Sequence, residues 1–282
     1  MSLMSLRSRT GCAQVETRGG VMVSWTEDGF GEILAMARKA DVGRLDIQVH
    51  GGVPLCWPWA VREGAPGCRI HGLTRYGEWS VVSASDESLV LALDDSAETR
   101  AEWPHRFHLE LCYRLSDGLA VEFKAMNLGD RPFSCTELFH PYFRVGDFRR
   151  CRVTGTDGAR YFWRQEADAG DRRIWRGDFD CGRLANGAPG YVFEPTTHRY
   201  RLSDPSLGRE LTIDYGGNRK MVVWGAGGDF SPYGGSDDPL FGERFLCVEG
   251  GTLYRDVAYV LEPGEIHNLK MNVSIRKMEM GN

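Results

Sequence analysis

Apolar and polar side chains alternate with a period of two in Leu45-Ile47-Val49, Leu109-Leu111-Tyr113-Leu115, Leu119-Val121-Phe123-Ala125 and Leu269-Met271-Val273-Ile275. Successive side chains of a strand point to opposite faces of a sheet, so each stretch predicts a half-buried strand with its apolar set turned inward. Turn chemistry sets the pairing. Ser116-Asp117-Gly118 joins the second and third stretches, and Glu262-Pro263-Gly264-Glu265 joins Val257-Tyr259-Leu261 to the last; both connections predict antiparallel hairpins. Thirty-five glycines and twelve prolines punctuate the whole chain, as short strands linked by turns require. Glu32 to Ala40 is the one segment that could be helical, but it is short and uncapped and is read as strand.

The fold class that follows is all-β, a large antiparallel β-sandwich. Sandwiches of roughly 200–250 residues often form one domain, and the 282-residue chain shows no repeat, low-complexity tract or interdomain linker. Residues 1–282 are read as one domain, with residues 1–3 as an expression scar. The Gly/Asp-rich stretch from Gly225 to Asp238 predicts a long surface loop, the kind of segment on which rigid scaffolds carry function.

Composition removes several classes of function. A formal net charge of -5 opposes a general polyanion-binding surface, so no nucleic-acid partner is expected. No apolar run approaches the roughly 20 residues of a membrane-spanning helix, and Met1 to Leu6 lacks the basic start and long apolar run of a signal peptide. The expected location is the cytoplasm, as a monomer or weak homodimer. The eight cysteines include no Cys-x-x-Cys and no close Cys/His quartet. Reduced thiols are expected rather than disulfides, and no structural zinc site.

Four segments hold residues suited to chemistry. His50-Gly51-Gly52-Val53-Pro54-Leu55-Cys56-Trp57-Pro58-Trp59 ends a strand in two glycines and brackets a proline with tryptophans. Its glycines suit close backbone approach to a ligand and its indoles suit sugar C–H faces; taken alone it reads first as a tight turn with core tryptophans. His71-Gly72-Leu73-Thr74-Arg75 places an imidazole and a guanidinium in one loop, the latter a fork for a hydroxyl pair, carboxylate or phosphate. Glu137-Leu138-Phe139-His140-Pro141-Tyr142-Phe143 holds a histidine among aromatics, which is either a positioned proton donor or a satisfied core residue. Phe245-Leu246-Cys247-Val248-Glu249 ends an apolar run in a carboxylate; burying it requires a partner or a function, so it is a general base or one half of an ion pair.

Together these segments resemble the galactose-mutarotase-like superfamily, and within it the hexose-6-phosphate mutarotases. The resemblance rests on Gly51-Gly52-Val53-Pro54 with Trp57-Pro58, His71-Gly72-Leu73-Thr74-Arg75 with Trp79, Phe139-His140-Pro141-Tyr142-Phe143, and Cys247-Val248-Glu249, in that order along the chain. It implies an aldose 1-epimerase with Glu249 as the base on the C1 hydroxyl, His140 as the acid on the ring oxygen, and His71, Arg75, His50, Trp57 and Tyr142 as sugar-binding residues. The implied partner is a small sugar or sugar phosphate, with no cofactor and no metal. Three positions depart from the family pattern: His50 replaces an Arg that holds a 6-phosphate, the Ala188 region lacks a sugar-binding Asp, and Trp224-Gly225-Ala226 replaces Trp-Asn-Pro.

The alternatives are a non-catalytic sugar-binding sandwich, a lyase or hydrolase, and a metal centre built from His50, His71 and His140. Hydrolysis usually needs two carboxylates across the bond, and only Glu249 has a convincing setting. The mutarotase reading expects the imidazole of His140 and the carboxylate of Glu249 to face each other across a cleft as wide as a pyranose.

Overall fold

The computed structural model describes residues 2–61, 68–163, 173–187, 190–253 and 258–279. Two large antiparallel sheets form the sandwich. In the nine-stranded sheet the central order is Arg199–Asp204, Arg209–Gly216, Ile266–Lys277, Gly118–Asn127, Phe107–Ser116 and Ser88–Asp94. Leu109, Leu111, Tyr113 and Leu115, with Leu119, Val121, Phe123 and Ala125, fill its inner face, as the alternation predicts. The Ser116–Gly118 hairpin forms in the expected register.

The eight-stranded sheet runs through Arg160–Trp163, Tyr191–Glu194, Lys220–Trp224, Phe245–Thr252, Glu137–Phe139 and Leu55–Cys56. Its strands Lys220–Trp224, Phe245–Thr252 and Glu137–Phe139 are buried on both faces, so they read as continuous apolar runs instead of alternating ones. In Phe245–Thr252, Leu246 and Val248 join the core between the sheets. Phe245 and Cys247 belong to a second cluster on the outer face, with Leu138, Tyr142, Val192, Val222 and Trp224. The Tyr215 hydroxyl of the nine-stranded sheet donates to the Val248 carbonyl at 2.7 Å and ties the two sheets at this strand.

Two expectations fail locally. Leu45-Ile47-Val49 forms no strand and is only half-buried; the alternation is there, but no neighbouring strand offers it a ladder. Glu262–Glu265 does form a turn, with the Glu265 N–H donating to the Glu262 carbonyl at 3.0 Å. Its flanking strands nevertheless pair elsewhere, Tyr259–Leu261 with Phe133–Cys135 and Ile266–Lys277 with Gly118–Asn127. The turn moves the chain between sheets and closes no hairpin. Residues 32–37 are extended, with Leu34 bridged to Phe143 and Met36 to Gly51, before a 3-10 turn at Lys39–Asp41. Leu3 begins the Leu3–Arg7 strand and pairs with Glu16.

Candidate active site

Glu249 lies on the central strand of the eight-stranded sheet, two residues after Cys247, so both side chains leave the same outer face. The neighbouring strands set Val222 opposite Glu249 and Trp224 opposite Cys247, and Leu138 opposite Gly251. His140 follows the Glu137–Phe139 strand directly. Its N–H donates to the Pro54 carbonyl at 3.0 Å, and the Tyr142 N–H donates to the Gly52 carbonyl at 2.8 Å. The Gly-Gly-Val-Pro segment therefore grips the His140 chain. Gly52 has φ +67°, and a Cβ there would sit 2.1 Å from the Met22 carbonyl oxygen, so only glycine fits.

This framework brings the Nε2 atom of His140 within 3.4 Å of Oε1 of Glu249, both side chains being buried. The expectation of a pyranose-wide gap between them is overturned. They border a cleft that also includes His71, Trp224, Val192 and Val222, with a volume of ≈ 20 Å³, room for about one water. His71 sits in the left-handed region, φ 64°, beside Gly72, where a Cβ would lie 2.1 Å from the Trp57 carbonyl oxygen. Its Nδ1 accepts the Val61 N–H at 3.0 Å. That bond fixes the proton on Nε2, making His71 a neutral donor at this edge of the cleft. The His71 and His140 rings meet edge to face at 5.6 Å.

The other sequence candidates surround the cleft without lining it. Trp57 is wholly buried, donates from Nε1 to the Tyr259 hydroxyl at 3.2 Å and packs on Phe107 and Trp103. It is a core residue, the alternative its proline-bracketed setting left open. Tyr142 is buried beneath His140, stacked at 4.9 Å and 13°. Burial pushes its phenol well above the ordinary value, and the charges of Cys247 and Glu249 add to this against Arg75. His50 packs edge-on against Phe230 and Tyr233. Burial, aided by the Arg75 charge, lowers its pKa to about 4.

Arg75 is buried, donates from Nη2 to the Val49 carbonyl, and has no hydrogen-bond partner at Nη1. Ala188 and Pro189, where a family Asp is missing, lie outside the described residues.

The aromatic wall of the cleft is Trp224, 5.7 Å from the His140 ring and edge to face with it. Sequence reading placed the platform at Trp57 instead. The usable signal was strand periodicity: Val222 and Trp224 share a face with Cys247 and Glu249 once the two strands are paired. Tyr233 of the Gly225–Asp238 loop covers Trp224 at 5.3 Å. The residues placed to hold a metal are His140, Cys247 and Glu249, whose ligand atoms all lie within 4.8 Å of one another; His50 and His71 are not part of that group.

A buried imidazole beside a buried carboxylate, with a second imidazole donating at the edge, can move protons on a small polar molecule. Residues 2–274 match the family described as aldose 1-epimerase. A Salmonella typhimurium protein named "Putative glucose-6-phosphate 1-epimerase" is 28% identical over 256 residues, covering 86% of this chain and 79% of the relative. The crystal structure of "a putative mutarotase (YeaD)" from Salmonella typhimurium superposes with a TM-score of 0.84 at 22% identity, over 98% of this chain and 90% of that one. A galactose mutarotase related enzyme from Lactobacillus acidophilus gives a TM-score of 0.79 at 15% identity, over 99% of this chain and 100% of the other. With sandwich, cleft and motifs in agreement, this chain belongs to the aldose 1-epimerase family.

Proposed function

We propose that the protein is a mutarotase that interconverts the α and β anomers of an aldose or hexose 6-phosphate. The observation that carries this reading is the His140–Glu249 pair, 3.4 Å apart in a cleft whose edge is held by the His71 donor. The C1 hydroxyl oxygen and the ring oxygen of a pyranose are bonded to the same carbon. An acid and a base that touch can therefore each reach one of them, within the 2.6–3.2 Å that proton transfer needs. The pair need not flank the sugar.

In the forward step Glu249 takes the proton of the C1 hydroxyl while His140 protonates the ring oxygen, and the C1–O5 bond breaks to leave an aldehyde. Rotation about C1–C2 presents the other carbonyl face. On reclosure O5 attacks C1, His140 recovers the O5 proton, and Glu249 returns its proton to the former carbonyl oxygen. His71, neutral and donating from Nε2, stabilises negative charge gathering on the sugar oxygens. Entry of a pyranose requires lining side chains to move, since the cleft holds about one water as it stands. Support for a phosphorylated substrate comes from the name of the Salmonella relative and from the unpartnered Nη1 of Arg75.

The test is the relaxation of freshly dissolved α-glucose, α-galactose and α-glucose 6-phosphate, followed by polarimetry or NMR. Glu249→Gln keeps the shape and removes the base, so catalysed relaxation should fall about 10²–10⁴-fold with sugar affinity retained. Undiminished turnover in that variant would assign the base elsewhere. Sugar binding by the wild type without faster relaxation would leave a binding protein instead of an enzyme.

A further inference from the structure

We propose that His140, Cys247 and Glu249 form a binding site for a borderline-soft divalent cation such as Zn²⁺, which blocks the cleft when occupied. The donor set is one imidazole, one thiol and one carboxylate, three ligand types that zinc takes readily. Zinc bonds of about 2.0–2.3 Å at tetrahedral angles set ligand atoms roughly 3.3–3.6 Å apart. Nε2 of His140 and Oε1 of Glu249 already stand at 3.4 Å. Cys247 precedes Glu249 by two residues on one rigid strand face, and all three ligand atoms lie within 4.8 Å. Side-chain rotation of about an ångström completes the set. His140 and Glu249 border the cleft, which has room for about one water as a fourth ligand.

Cys247 is not needed by the proton transfers proposed above, yet its side chain is directed at the same point as theirs. Binding balances by proton release: the Cys247 thiol and the protonated Nε2 of His140 each lose H⁺ to solvent, and the sulfur, the freed Nε2 and a Glu249 oxygen each donate a lone pair to the cation. Two anionic ligands then offset the charge of the ion. An occupied site removes both the acid and the base from reaction, and this inhibitory consequence rests on the mutarotase reading; the binding itself does not.

Co²⁺ serves as the spectroscopic probe for the full chain, and Zn²⁺ as its competitor. The wild type should bind one equivalent of Co²⁺ with a thiolate-to-metal band in the near ultraviolet, displaced by Zn²⁺. Zn²⁺ should slow anomer relaxation, and Cys247→Ser should abolish the band and weaken Zn²⁺ binding at least tenfold. Replacing Cys12, Cys68 and Cys112, the thiols that are not buried, by Ser should preserve the band. That second variant excludes the accessible thiols as the source of the band, and Co²⁺ binding at least tenfold weaker in Glu249→Gln tests the same site if Cys247→Ser does not fold. No band in the wild type, a band that survives in Cys247→Ser, or one lost with the three outer thiols would overturn the site. Absent relaxation in metal-free wild type would instead count against the mutarotase reading.

Discussion

His50 shows how a residue's chemistry can be visible in sequence while its job is not. Sequence placed it where a phosphate-binding Arg would stand; the structure sets its ring among Phe230 and Tyr233 and lowers its pKa to about 4, through burial first and the Arg75 charge second. The unfolded chain, with its imidazole near 6.5, binds more protons than the folded one between those values. Stability held above pH 6.5 should therefore be lost as pH falls toward 4, by about 2–3 kcal/mol. Urea unfolding at pH 7 and pH 4.5 measures this, and His50→Asn should flatten the difference. An unchanged slope would mean that another group titrates. His140 and Glu249, which the structure buries side by side, stood out because a carboxylate ending four apolar residues and an imidazole at an aromatic strand end both demand a reason. Trp57 was misread because burial against Phe107 and Tyr259 depends on partners far away in sequence.

At the level of elements, periodicity identified three neighbouring strands of the nine-stranded sheet, Phe107–Ser116, Gly118–Asn127 and Ile266–Lys277, which alternate, and left the doubly buried centre of the eight-stranded sheet harder to parse. Pairing was the missing information. Without it, Trp224 could not be placed beside Cys247, nor the Glu262–Glu265 turn recognised as a passage between sheets. Gly251 tests how closely the two site-bearing strands depend on each other. A Cβ there would lie 2.1 Å from the Glu137 carbonyl oxygen and 2.7 Å from the Leu138 Cα. Gly251→Ala should force the Glu137–Phe139 strand outward and carry His140 from Glu249. The expected cost is about 1–3 kcal/mol, together with slowed anomer relaxation. Thermal melts and relaxation rates read the two effects separately, and a variant that loses stability at full activity would show that the spacing of the pair tolerates the shift.

Across the whole molecule, the inner face of the sandwich supplies the main core, while the outer face of one sheet supplies the cleft. The sandwich class was readable from alternation, turns and glycine content. The contact between His140 and Glu249 was not, because it depends on how the Gly51–Pro54 segment seats the His140 chain. Among the described residues no helix is long and apolar enough to cross a membrane. The strand Phe245–Thr252 packs Leu246 and Val248 into the main core and presents Glu249 on its reverse. One ribbon thus serves as both keel and tool edge, and the protein has little means of blunting the edge while the hull stays sound. Heat inactivation and loss of the near-ultraviolet circular dichroism signal should share a single midpoint; activity vanishing well before that signal would reveal a looser attachment.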